Sequence, residues 1–172
     1  MNAFVRRAAF FAALVISLGA NADGVGKPSG SVMLTIDGAI EHANATTASG
    51  DAAQFDRAML EALENATVAT TTDWTDGVRR FSGPLASAVL DQVGAKGATV
   101  LATALNDYAV EIPISDFRKY PVILAMTMDG KPLSRRDKGP LWIVYPRDDY
   151  AELATPETNT KWIWQLKSLT VR

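Results

Sequence analysis

The 172-residue sequence contains no cysteine and a single histidine, His42. Without cysteine there is no disulfide framework, no thiolate nucleophile, no thiolate metal site and no thioether attachment of haem. One histidine cannot build a multi-histidine zinc centre and leaves little scope for a Ser-His-Asp triad. His42 lies in a polar stretch and reads as a surface residue. Excess positive charge is missing too: 17 Lys+Arg stand against 19 Asp+Glu, a formal net charge of −2. Such a chain has no long-range attraction for nucleic acid or anionic lipid, so neither is expected as a partner. Long hydrophobic runs are also absent. The longest, Ala8 to Leu18, would make a helix of about 16 Å against a hydrocarbon core of about 30 Å.

That run nevertheless has a recognisable setting. Arg6 and Arg7 precede it, and Ala20-Asn21-Ala22 follows with the small-x-small pattern of a signal-peptidase site. The order predicts a cleaved signal peptide over residues 1–22, export, and no membrane insertion after cleavage. An exported, cysteine-free chain fits a periplasmic protein. Cleavage would leave 150 residues, and losing two arginines takes the net charge to −4. Hydrophobic content of 48% and charged content of 21% are those of a folded domain with a real core.

The remaining pattern is mixed. Asp23 to Ser31, rich in glycine, reads as a flexible leader, and Val32 to Ile36 as a short strand. Glu41 to Asp51 is polar and reads as a loop. Phe55, Met59, Leu63 and their neighbours recur at helical spacing and predict a helix over Ala53 to Glu64. Thr67 to Thr72 reads as a strand. Gly83-Pro84 opens a second helix with Leu85, Val89, Leu90 and Val93 on one face and Gly94 at its end. Strands follow at Val100 to Leu105, Ala109 to Pro113, Val122 to Met128 and Leu141 to Tyr145, with a tight turn at Asp129-Gly130. The C-terminal segment alternates through Trp162, Trp164 and Leu166, then slips at Lys167-Ser168, which a β-bulge explains. The sum is a single mixed-sheet α+β domain over residues 32–172, without internal repeats.

Five segments in order resemble the sulfite-oxidase-type molybdopterin-binding domain. Asp76-Gly77-Val78 with Phe81-Ser82-Gly83-Pro84-Leu85, Leu90 and Gly94-Ala95 is similar to its GxxxxGxPLxxLLxxxG segment. Asn106-Asp107-Tyr108 with Ile112-Pro113 resembles its DGY…IP segment, and Val122 to Leu133 its LLAxxMNGxPL hairpin. Gly139-Pro140-Leu141-Trp142 with Tyr145-Pro146 resembles GxPLRLVVP, and Lys161-Trp162-Ile163 resembles the closing VKWL strand. The resemblance spans Val32 to Val171 and implies the fold of that family. The departures are chemical. Where catalytic members carry a molybdenum-binding cysteine, Val68 to Thr75 offers threonines and Asp73; a neutral hydroxyl is a poor ligand for a soft, high-valent metal. The family's arginine after PL is Trp142 here, and its preceding histidine is replaced near Asp137-Lys138. The resemblance therefore implies a pterin site without molybdenum.

A pterin needs an aromatic or cationic plane to stack on and acceptors for its amino edge. Asp73 and Trp74, in the loop that bears the metal ligand in catalytic relatives, supply both. By the same resemblance Asp107 and Tyr108, Arg135 and Arg136, and Lys161 are expected around the cofactor, with Arg79 and Arg80 framing the cleft. Asn106-Asp107 also reads as ordinary turn chemistry, the Arg135-Arg136 run as a solvated loop, and Trp162 and Trp164 as core. Exported, cysteine-free domains of this type resemble proteins that bind reduced pterins and pair with a membrane-bound signalling enzyme, often one that makes or degrades cyclic di-GMP. That is the function the resemblance implies. Two others remain open: an oxidoreductase holding molybdopterin without cysteine ligation, and an interaction module with no small-molecule ligand.

Overall fold

The structure, a computed structural model, describes residues 24–172, so the expected signal peptide lies outside the described residues. Burial with period two organises the chain. Strand β1 (Leu34–Gly38) buries Leu34 and Ile36 completely and leaves Thr35 partly exposed. It continues into β2 (Ala45–Thr47), β3 (Gly50–Phe55), β4 (Asn65–Thr72), β5 (Thr75–Pro84), β6 (Thr99–Ala104) and β7 (Ala109–Pro113). After these come β8 (Ile123–Ala125), β9 (Thr127–Met128), β10 (Lys131–Pro132), β11 (Trp142–Val144) and β12 (Leu166–Val171). The α-helices are short: α1 (Arg57–Glu61), α2 (Ala86–Gln92), α3 (Ile114–Lys119) and α4 (Pro156–Thr160), with a 3-10 turn at Ala151–Leu153.

Six strands form one sheet in the order β2-β3-β1-β12-β6-β7. Only β1 and β12 pair in parallel; their neighbours are antiparallel. A second sheet runs β10-β9-β5-β4, and β11 pairs with β8. Ile123, Leu124 and Ala125 are all fully buried, which explains why this strand reads as an unbroken apolar run. Helix α2 has seven residues and would not form alone. Ala86, Val89 and Leu90 hold it to the core, each branched side chain contributing roughly 2 kcal/mol through burial. Among the described residues no helix is long and apolar enough to cross a membrane.

The mixed-sheet single domain and several local features agree with the sequence. Asp129 and Gly130 have φ of 50° and 75° and close the two-residue β9–β10 turn, as a type I′ hairpin requires. Gly94 ends α2 with φ of 60°. The β12–β6 register shifts between Leu166 and Ser168, the bulge the alternation announced.

Other segments differ, and long-range pairing is the common reason. The helix expected over Ala53 to Glu64 is cut to α1, because Ala52 to Phe55 pair with Leu34 to Asp37. The polar stretch Glu41 to Asp51 is not all loop; it holds β2 and the start of β3, paired through Thr47 and Gly50. Gly83-Pro84 ends β5 instead of opening a helix, and Leu85 caps α2. Val122 to Met128 is not one strand: Met126 donates its N–H to the Ser82 carbonyl at 2.8 Å and separates β8 from β9. The C-terminal strand begins only at Leu166, with Trp164 forming a single bridge to Trp142.

The leader is not loose either. Val25 is buried, and the Asp56 carboxylate accepts the N–H groups of Ser29 and Gly30, each at 2.7 Å, while capping α1 at Met59. The Met59 and Gly30 N–H groups, with Ser29, hold its pKa down at about 2 against an opposing effect of burial. A depressed carboxyl pKa adds stability that is complete above the ordinary value near 4 and lost as pH falls through the folded value. Asp56→Asn is therefore expected to melt several degrees below wild type at pH 7, with the gap closing between about pH 4 and pH 2. Melting curves across that range check it.

Candidate functional site

The β4–β5 turn, Asp73-Trp74, is tied to the end of β4, where Thr72 Oγ1 accepts the Trp74 N–H at 3.1 Å. Trp74 there joins a cluster of tryptophans. Its ring centroid lies 5.5 Å from Trp164 and 6.2 Å from Trp142, both edge-on, and 6.0 Å from Trp162. Trp142 is fully buried and backs the cluster against Phe81, 5.2 Å away. The Lys138 ammonium sits 5.4 Å from the Trp164 ring and 5.6 Å from the Trp142 ring, a cation–π contact on its own side of the cluster.

In front of these rings is a cleft of about 440 Å³. Trp74, Trp162 and Trp164 form its aromatic wall, together with Tyr108. Ala104 and Ile163 add apolar surface; Asn106, Asn159 and Thr160 supply the polar groups. No charged side chain lines it. The cleft is thus an aromatic receptacle with a few neutral hydrogen-bonding groups, the chemistry that suits a flat, uncharged heteroaromatic ring.

A charged clasp crosses the rim. Arg147 Nη1 donates to Asp73 Oδ1 at 2.7 Å and to Asn159 Oδ1 at 3.4 Å, and Asn159 Nδ2 donates to Asp73 Oδ2. Arg147 is fixed by its neighbour. The Asp148 carboxylate accepts the Thr71 N–H and hydroxyl, both at 2.7 Å, stitching this segment to the end of β4. Burial works against ionisation of Asp148, but the Thr71 donors and Arg147 outweigh it and hold the carboxyl below its ordinary range.

The residues expected around a cofactor divide. Trp74 and Tyr108 line the cleft, and Asp73 stands at its rim inside the clasp. Asp107, at φ of 66°, pairs with Lys167. Arg135 lines a separate groove with Lys167, and Arg136 is exposed in the same turn. Gln165 holds that turn by donating to the carbonyls of Arg135 at 2.8 Å and Asp137 at 3.0 Å. Arg79 pairs with Asp129 on the second sheet and Arg80 is exposed beside it, so neither frames the cleft. His42 is exposed.

Lys161 turns away from the cleft to Asp116, 2.9 Å distant, in a pair whose side chains are 14% and 19% exposed. Tyr145 donates its hydroxyl to the same carboxylate at 3.2 Å; burial, and then the Asp116 charge, push its phenol well above the ordinary value. Removing one member of such a pair strands the other. Lys161→Met is expected to cost about 2 kcal/mol, less than for a fully buried pair. Tyr145→Phe should cost about 1 kcal/mol. Urea denaturation midpoints measure both.

Sequence reasoning missed Arg147, Asn159 and Thr160, which carry no local motif. It assigned Trp162 and Trp164 to the core. Trp162 is indeed buried, yet both rings face the cleft as part of its wall.

Comparison with known proteins gives a consistent picture of the fold. The family model described as "Oxidoreductase molybdopterin binding domain" matches residues 34–170. The solved structure of the sulfane dehydrogenase SoxCD from Paracoccus pantotrophus is similar, with a TM-score of 0.56 and 17% sequence identity. The match covers 80% of this chain and 37% of that one. No curated protein matches the sequence.

Molybdopterin itself joins a pterin ring to a metal-binding dithiolene and a phosphate. The cleft suits the ring. For the rest the donor set does not fit: the chain has no cysteine, no cation lines the cleft, and the described residues hold no cluster of three or more histidines or carboxylates.

Proposed function

We propose that this chain, which belongs to the oxidoreductase molybdopterin-binding domain family, binds a metal-free reduced pterin and performs no redox chemistry of its own. The observation that carries the reading is the cleft wall, three tryptophans and a tyrosine with only neutral polar groups. Stacking on that wall supplies affinity for a planar ring. A phosphate or a high-valent metal in the same place would meet an aromatic wall that no cation lines, and the one arginine at the rim, Arg147, is already paired with Asp73, which is unfavourable.

In this proposal the protein is exported to the periplasm and its ligand state is read by a membrane-bound signalling enzyme, one concerned with cyclic di-GMP. The support for that part is the N-terminal segment and the resemblance to cysteine-free exported domains. An open cleft favours ligand binding over an interaction module, whose cleft would be filled by its own side chains.

The test is analysis of protein purified from cells. Extraction should release a fluorescent pterin after oxidation, with molybdenum far below one atom per chain. Molybdenum near one per chain, with a phosphorylated pterin, would overturn the proposal and restore the oxidoreductase reading.

A further inference from the structure

The two amides of the cleft are not neutral in their preferences, whereas its third polar group, Thr160, already donates its hydroxyl to the Glu157 carbonyl at 2.7 Å. Asn159 is held between an arginine, which can only donate, and a carboxylate, which can only accept. Its amide satisfies both in a single orientation, with Oδ1 toward Arg147 and Nδ2 toward Asp73. Turning it over would oppose two donors on one side and two acceptors on the other. Asn106 is committed the same way, because its Oδ1 accepts the Tyr108 backbone N–H at 3.2 Å. Each amide thus has its oxygen engaged by the protein and an N–H left over. A ligand donor approaching the Asn159 oxygen also meets the Arg147 guanidinium.

We propose that the cleft selects a ligand edge that accepts hydrogen bonds, because Asn106 and Asn159 are locked as donors, the latter by Arg147 and Asp73. Arg147 is then a positioning residue that acts through Asn159. The segment after β11 suits that task, since Asp148 anchors it to Thr71. The inference rests on the pterin reading and sharpens it. Of the two edges of a pterin, the one bearing the 4-oxo oxygen faces the amides, and the 2-amino edge points elsewhere.

Two oxidised probes separate the possibilities: 6-methylpterin, with an acceptor oxygen at C4, and 2,4-diamino-6-methylpteridine, with a donor amine there. The wild-type protein should prefer the pterin by about tenfold or more, the effect of one unmade hydrogen bond in a shielded site. Arg147→Met alone leaves Asp73 holding the Asn159 amide, whereas Arg147→Met combined with Asp73→Leu frees it to turn and should lower the ratio severalfold, Asn106 keeping part of the preference. Arg147→Lys keeps a donor in place and should retain the preference. A role of Arg147 in stability alone would weaken both probes equally and leave the ratio unchanged. The wild-type ratio needs no variant, so a poorly folded mutant cannot hide the answer. Equal binding of both probes by wild type, or a preference that survives undiminished in the folded Arg147→Met, Asp73→Leu protein, overturns the inference alone. Failure of both probes and of their tetrahydro forms to bind overturns the pterin reading, and the inference with it.

Discussion

Gly83→Ala is expected to abolish the folded state at 37 °C or lower its melting point by 10 °C or more, corresponding to roughly 3 kcal/mol or more. Gly83 lies on β5 where that strand crosses β8. A Cβ there would overlap the Leu124 carbonyl oxygen, with the Leu124 carbonyl carbon at 2.9 Å and Ala125 Cα at 3.0 Å. All three neighbours are backbone, so no rotamer change relieves the overlap. The strands would have to part, and Ile123, Leu124, Ala125 and Phe81, all fully buried, would lose their packing. Gly26→Ala is the matched control, since a Cβ there meets nothing within 4 Å and the residue needs no positive φ. It should melt within a degree or two of wild type. Thermal denaturation of the two variants side by side gives the comparison. A Gly83→Ala protein as stable as the Gly26→Ala control would mean that β5 and β8 do not approach as described.

The second large effect is on binding. Trp74→Ala is expected to weaken pterin affinity about thirtyfold or more, the loss typical of a tryptophan anchor. Trp74 touches Trp142, Trp162 and Trp164 through edge-on and tilted contacts and lines the cleft itself. Its removal takes away both a stacking surface and the ring against which Trp162 and Trp164 are set. It is only partly buried and sits in a turn outside the paired strands, so the fold should survive with a smaller loss than a core truncation brings. Trp74→Phe keeps an aromatic plane and should fall between wild type and Trp74→Ala. Calorimetric titration reads the affinities, and near-ultraviolet circular dichroism reports whether the aromatic cluster persists. Full affinity in Trp74→Ala would place the ligand elsewhere.

What the sequence made legible was local. The Asp129-Gly130 turn, the Gly94 helix end and the slip at Lys167-Ser168 each follow from the backbone demands of a few consecutive residues. The family segments gave the fold, and through it Trp74 and Tyr108. What stayed hidden depends on residues distant in the chain. Phe55 has helical spacing with Met59 and Leu63, but β1 claims Ala52 to Phe55 as a strand. The clasp joins Asp73 to positions 74 and 86 residues away, and nothing around Arg147 or Asn159 marks them. Lys161 shows the limit of motif transfer. It follows α4 and precedes Trp162, which lines the cleft, yet its side chain leaves the other way to Asp116. Trp162 and Trp164 show the converse: a hydrophobic ring can be core on one side and ligand wall on the other.

The measurement that bears most directly on the account is intrinsic tryptophan fluorescence of the wild-type protein titrated with a reduced pterin. Three of its four tryptophans line the cleft and the fourth touches them, so a bound ring quenches most of the emission. The account predicts saturable quenching at micromolar ligand or below. A linear, unsaturated response from well-folded protein, indistinguishable from free tryptophan, would contradict it.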